Sequence, residues 1–170
     1  MDFKTIEFSI KDQVGWLWLN RPEKRNALNA EMLKELRSLF ESLSGKTEAR
    51  ALVLRGHGKV FCAGADLVFM SDVTRKSDEA LRAEAGLFFD CFESLYRLSI
   101  PVICYAQGAV HGGGNGLLAV SDFVFSQENA RFSFSEVRLG LVPATVAPFI
   151  IRRMGRVKAR QCMISGNVMD

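Results

Sequence analysis

The stretch GAVHGGGNGLLAV, residues 108–120, sets three consecutive glycines between a β-like run and a helix-like run. Glycine costs about 1 kcal/mol per helical position relative to alanine, so three together in a region that otherwise reads as core need a reason. Either the backbone must come very close to something, or the chain packs too tightly there for side chains. A second glycine-bearing turn, FCAGADL at 61–67, also follows a strand-like run. Turns of this kind can aim free N–H groups outward, because the first N–H groups of a helix have no internal partner. Two convergent donors form an oxyanion hole, which stabilises the enolate of a thioester or similar carbonyl. Tight turns and close packing account for the same glycines, and the residues alone leave both readings open.

Outward from these turns the chain reads as short alternating elements. TIEFSI (5–10) and VGWLWLN (14–20) alternate like strands, with Asp12 and Gln13 placed to turn a hairpin. A polar loop, NRPEKRNALN (20–29), ends at Asn29. That residue caps a helix through Glu31, Met32, Leu33, Leu36, Leu39, Phe40 and Leu43, spaced three and four apart until Gly45. ARALVLRG (49–56) is a continuously apolar strand of the buried kind. SDVTRKSDEA (71–80) is expected to begin flexible and to end as the start of a helix reaching Leu98. Pro101 opens the strand VICYAQG (102–108), DFVFSQ (122–127) and RFSFSE (131–136) are two more, and 145–164 reads as two helices parted by Gly155. The order strand, strand, helix recurs without sequence repetition. It predicts an α/β fold in which helices cover short sheets, as one domain over 1–170 without a linker.

Composition narrows the function classes. The chain has 170 residues, 48% hydrophobic and 24% charged, which suits a globular protein with a real core. A net charge of +3, with no basic block interleaved with aromatics, does not suggest nucleic acid, while it suits a phosphate-bearing ligand. Cys62, Cys91, Cys104 and Cys162 lack CxxC spacing and read as reduced thiols of a cytoplasm-like compartment. With His57 and His111 the only histidines, a histidine-rich metal site is not expected. The apolar runs are broken by polar residues or glycine, so no membrane span is read, and the charged opening MDFKTIEFSIKD does not read as a signal peptide.

Four stretches taken together are distinctive. FCAGADL, GAVHGGGNGLLAVSDF and FSFSEVRLGLVP follow one another in the order and approximate spacing of the crotonase family, the enoyl-CoA hydratase/isomerase superfamily, and LNRPEKRNALN resembles its N-terminal segment. The resemblance runs from about residue 8 to 170. It implies a spiral of strand-strand-helix units, assembly into trimers or dimers of trimers, and a C-terminal helical part beyond this chain that completes the acyl pocket.

Carried onto this sequence, the resemblance makes the backbone N–H groups of Ala65 and Gly113 the oxyanion hole, with Gly112 and Gly114 shaping the turn. Coenzyme A would lie along 24–28 and 63–67, implying Lys24 and Arg25 as phosphate contacts and Ala27, Leu28, Ala63, Asp66 and Leu67 as lining. Hydratases of the family generally use two glutamates. One is present as Glu136, while Gly116 stands where the other is expected. Hydration needs a water deprotonated as it attacks Cβ and a proton delivered to Cα, and one carboxylate can do both by relaying a proton through the water. Asn115 can hydrogen-bond but cannot act as a base, His111 reads as structural, and Asp66 reads as a helix cap.

ATVAPFI (144–150), in place of a glycine-rich stretch, resembles methylglutaconyl-CoA hydratases of bacterial leucine catabolism, isohexenylglutaconyl-CoA hydratases, and dehydratases of polyketide β-branching. These handle branched thioesters with a second carboxylate, for which Arg138 and Arg152 are candidate partners. A hydratase/lyase acting on a coenzyme A thioester, with no metal or redox cofactor, is the first expectation. The alternatives are a Δ3,Δ2-enoyl-CoA isomerase, a dehydratase of carrier-protein thioesters, and a non-catalytic acyl-CoA binder.

Overall fold

The computed structural model describes residues 2–45, 47–70 and 76–170. β1 (Ile6–Lys11) and β2 (Val14–Leu19) pair antiparallel, Lys11 opposite Val14. Asp12 (φ 52°) and Gln13 (φ 61°) both take the left-handed conformation between them, the backbone that matches a two-residue hairpin to strand twist. α1 (Ala30–Leu43) opens where Asn29 accepts a hydrogen bond from the Met32 N–H, and it buries Met32, Leu33, Leu36, Leu39, Phe40 and Leu43. That spacing is the apolar stripe of a helix lying on a sheet.

The chain then enters β3 (Ala51–Gly56), passes through α2 (Leu67–Met70), and continues in α3 (Asp78–Tyr96). Of the segment expected to be flexible, 71–75 lie outside the described residues. β4 (Val102–Ala106), β5 (Ala109–His111), α4 (Gly113–Ala119), β6 (Phe123–Ser126), β7 (Arg131–Ser133), α5 (Ala147–Met154) and α6 (Arg156–Ser165) follow. One sheet has the order β1-β2-β3-β4-β6, parallel from β2 onward, and β5 pairs with β7 in a second, small sheet.

Single backbone bridges extend the small sheet on both sides: Leu28 to Ala65, Cys62 to Val110, and Phe132 to Met169. Each turn of the chain therefore lays one strand in the large sheet, one short segment in the second layer, and then a helix. β3, residues 61–65 and α2–α3 make one such unit, and β4, β5 and α4 make the next. This is the recurring strand-strand-helix order of the sequence wound into a spiral. Leu17, Leu19, Leu52, Leu54 and Cys104 face inward from the large sheet into one contiguous cluster, whose largest fully buried rings are Phe40, Phe61, Phe92 and Phe134. Among the described residues no helix is long and apolar enough to cross a membrane.

Two substitutions separate the local from the tertiary contribution to this fold. Asn29→Ala removes the cap of α1 and is expected to cost about 1 kcal/mol. Leu54→Ala, at a position with 0% exposure, is expected to cost about 2–5 kcal/mol. Urea denaturation of both variants against the wild type checks the ranking.

Candidate active site

The loop ahead of α1 is held by Asn26, a fully buried residue in the left-handed conformation (φ 54°), which asparagine tolerates better than most. Its Oδ1 accepts from the Arg21 N–H (2.9 Å), and its Nδ2 donates to the carbonyls of His57 (2.8 Å) and Val60 (2.9 Å). Arg21 continues the brace: Nη1 donates to the Ala27 carbonyl (2.6 Å) and Nη2 lies 3.0 Å from Asp66 Oδ2. Asp66 also accepts from the Val68 N–H at the head of α2 (3.0 Å). Burial opposes the charge of Asp66. The Arg21 guanidinium and the N–H groups of Val68 and Phe69 outweigh it and hold the carboxyl below its ordinary value. Lys24, at the end of a 3-10 turn (Pro22–Lys24), and Arg25 stand exposed on this braced loop, with Ala63 half-buried and Leu67 exposed on the neighbouring one.

The two glycine-bearing turns lie side by side because residues 61–65 pass between Leu28 and β5, with one backbone bridge to each. Cys62 exchanges backbone hydrogen bonds with Ala109 and His111 on one side (3.4 and 3.0 Å). On the other side the Leu28 N–H donates to the Gly64 carbonyl (2.8 Å) and the Asp66 N–H donates to the Leu28 carbonyl (2.9 Å). This parallel pattern uses the groups flanking Ala65 and turns the Ala65 N–H away from Leu28. Gly113 is the first residue of α4, where an N–H has no intrahelical acceptor. Among the described residues neither the Ala65 nor the Gly113 N–H donates a hydrogen bond.

The three glycines answer to both reasons that residues 108–120 raise. Gly113 and Gly114 are packing glycines: a Cβ would lie 3.0 Å from Leu28 Cδ1 at the first and 2.9 Å from Cys62 Cβ at the second. Gly112 is different. It holds φ +45°, which L side chains rarely adopt, and a Cβ there would lie 2.7 Å from Glu136 Oε1. The glycine lets a carboxylate rest against the turn that carries the Gly113 donor.

Glu136 stands on a 3-10 turn (Ser135–Leu139) that follows β7. Its Oε2 is shut off from solvent and has no hydrogen-bond partner among the described residues. Burial pushes the carboxyl above its ordinary value, outweighing the hydrogen bond from its own backbone N–H. A carboxyl raised by burial, resting against the turn that carries an unpaired N–H donor, is a stronger base than an exposed carboxylate and is suited to proton transfer.

The other expected site residues divide. Leu28 offers no surface to a ligand: its side chain is fully buried and both its backbone groups are paired, so its part is to seat Ala65. Ala27 is likewise buried, and its carbonyl is taken by Arg21. Gly116 faces an apolar wall, since a Cβ would lie 2.8 Å from Phe92 Cζ and 2.9 Å from Val146 Cγ1. The Asn115 amide is engaged with the Ser133 carbonyl (2.8 Å). Arg138 donates to the Gly166 carbonyl (3.0 Å) and Arg152 lies 4.4 Å over the Tyr96 ring, so both candidate partners for a second carboxylate have partners of their own. The Cys62 thiol, although next to the turn, is pushed up to about 12 by burial and is no nucleophile. Among the described residues no three His, Cys, Asp or Glu side chains could hold a metal ion.

Comparison with known proteins identifies the family. The enoyl-CoA hydratase/isomerase family model matches residues 9–170. The chain belongs to this family. It is 37% identical over 160 residues to an enoyl-CoA hydratase of Alternaria alternata, covering 93% of this chain and 52% of that protein. The crystal structure of an enoyl-CoA hydratase from Shewanella pealeana superposes with a TM-score of 0.95 at 32% identity, over 99% of this chain and 63% of that one. AtuE of Pseudomonas aeruginosa superposes with a TM-score of 0.94 at 35% identity, over 98% and 65%. The chain thus spans between half and two thirds of the length of the curated relatives it matches. The crotonase spiral is accordingly its fold, and a coenzyme A thioester is the substrate type of its family.

The buried carboxyl has a stability signature. Because the fold raises the Glu136 pKa, the ionised form carries a cost that is absent below the ordinary value of 4.5 and grows as pH rises through the folded value. Glu136→Gln is expected to raise the melting temperature at neutral pH, with the gain shrinking toward zero as the pH falls to that ordinary value. Calorimetry across this range checks it.

Proposed function

We propose that the protein hydrates, and in reverse dehydrates, the α,β double bond of an enoyl thioester of coenzyme A. The reading is carried by one observation: the Glu136 carboxyl, whose Oε2 is buried without a partner among the described residues, rests with Oε1 against Gly112, the residue next to the Gly113 N–H. The thioester oxygen sits between the N–H groups of Ala65 and Gly113, where the negative charge of the enolate develops at the positive end of α4. Glu136 removes a proton from the water that attacks Cβ and delivers a proton to Cα. Gly116 stands where a second glutamate is expected, so both transfers fall to Glu136. Lys24 and Arg25 face the coenzyme A phosphates, with Ala63, Asp66 and Leu67 along the pantetheine. The resemblance of 144–150 to methylglutaconyl-CoA hydratases makes a branched acyl group with a second carboxylate the preferred substrate. Membership of the family supports assembly as a homotrimer or a dimer of trimers.

A second reading is favoured by the apolar wall of Phe92 and Val146 beside Gly116. A site without a second carboxylate to hold water also suits a Δ3,Δ2-enoyl-CoA isomerase, in which one base moves a proton between Cα and Cγ.

Incubation with 3-methylglutaconyl-CoA and with crotonyl-CoA in heavy-oxygen water, read by mass spectrometry, decides between them. Label is expected in a 3-hydroxyacyl product, with the larger yield from the branched substrate. Glu136→Gln is expected to lower kcat by about 10²–10⁴-fold while acyl-CoA binding persists. Solvent deuterium at Cα and Cγ without oxygen label would replace hydration by isomerisation. Binding without either label would leave a non-catalytic acyl-CoA binder.

A further inference from the structure

The turn that carries the Gly113 donor and the turn that carries Glu136 are distant in sequence and meet at one buried residue, Ser133, the last of β7. Its carbonyl accepts two hydrogen bonds, from the Gly112 N–H (3.1 Å) and from Asn115 Nδ2 (2.8 Å). Its Oγ lies 2.7 Å from His111 Nδ1. Three residues of 111–115 are therefore tied to a single position three residues ahead of Glu136. The two donors occupy both lone pairs of the Ser133 carbonyl, so neither can be removed without leaving a buried group underpaired.

We propose that Asn115 and Ser133 form a positioning clamp that sets the separation between the Gly113 N–H and the Glu136 carboxylate, and so governs turnover without touching the substrate. The inference rests on the reading of Glu136 as the base. Among the described residues Oε2 of Glu136 has no hydrogen bond to hold it, so the carboxylate is located by the backbone of 133–136 and by contact with Gly112. β5 and β7 pair over three residues each, a short ladder that leaves much of the alignment to these side-chain bonds. His111 reinforces the clamp as a neutral partner, because burial and the nearby Arg25 guanidinium hold its imidazole below the ordinary value. The uncharged ring pairs with the Ser133 hydroxyl without placing a cation beside the base. Asn115, next to the missing second glutamate, thus aligns the site instead of contributing an acid.

The test is steady-state kinetics of Asn115→Ala, Ser133→Ala and Ser133→Thr beside Glu136→Gln, with enoyl-CoA as substrate, full pH–rate profiles and melting temperatures. Displacements of about 1 Å at a reacting group cost up to about 10²-fold in rate. Asn115→Ala is expected to lower kcat at least about tenfold with KM within about twofold. Its acidic limb is expected to move to lower pH, because a carboxylate released from Gly112 regains water and loses the effect of burial. Ser133→Ala is expected to show a smaller change of the same kind, restored by Ser133→Thr, which keeps the hydroxyl. If Asn115→Ala does not fold, Asn115→Leu, which keeps much of the volume and removes the donor, carries the same test, because Ser133→Ala breaks only the bond to His111. A kcat loss with an unmoved acidic limb, or no loss while Glu136→Gln is inactive, overturns the clamp and leaves the base in place. Full turnover by Glu136→Gln removes the base and the clamp with it.

Discussion

Backbone N–H groups that act on a ligand must be left unpaired, while their neighbours must be paired firmly enough to hold them still. The second layer of this fold meets both demands with one ladder. Leu28, residues 61–65, β5 and β7 lie side by side, and their parallel hydrogen bonds engage every second group along each segment. Ala65 falls between the groups that bond to Leu28, and Gly113 falls just past the end of β5, where the helix has not yet begun to pair its own donors. Free donors thus arise as a by-product of register. A one-residue slip of 61–65 against Leu28 would hide the Ala65 N–H in the ladder and expose its neighbours instead.

What surrounds the ladder keeps that register. Phe61, Cys62, Val110 and Leu28 are fully buried beneath it, and the Arg21–Asp66 ion pair closes its open edge at 3.0 Å, with both side chains largely out of water. Gly113 and Gly114 let α4 sit down on Leu28 and Cys62, close enough that a methyl group would intrude. The dense glycines weaken α4 as a helix, since each costs about 1 kcal/mol against alanine. Packing on every side of this seven-residue helix offsets the loss.

Glu136 shows the opposite balance. Its carboxylate lies where burial disfavours charge and where Oε2 has no partner among the described residues, an arrangement that costs stability and would be selected against at a purely structural position. Chemistry that moves a proton at carbon requires such a group. A carboxylate fully satisfied by neighbours would be too weak a base to act on a water or on Cα.

Much of this was legible in the sequence because it is written in short-range pattern. The hairpin at Asp12–Gln13, the cap at Asn29, the stripe of α1, the two glycine turns and the break at Gly155 each depend on residues within a few positions of one another. The family motifs likewise single out Ala65, Gly113 and Glu136 as candidates, which the fold sets on neighbouring turns. Asn26, Arg21 and Ser133 were not legible as organisers of the site, since their partners lie between 5 and 45 residues away and no local spacing announces them. Leu28 was read as ligand lining, and only packing shows it to be a core residue whose backbone seats a donor. By itself the sequence determined the elements, their order and the residue types of the candidate site. The tertiary structure alone decided which N–H groups stay free, which carboxyl loses its water, and that Phe92 and Val146 close the space beside Gly116. Hydrogen-bond register and burial are properties of chains brought together, not of any one stretch.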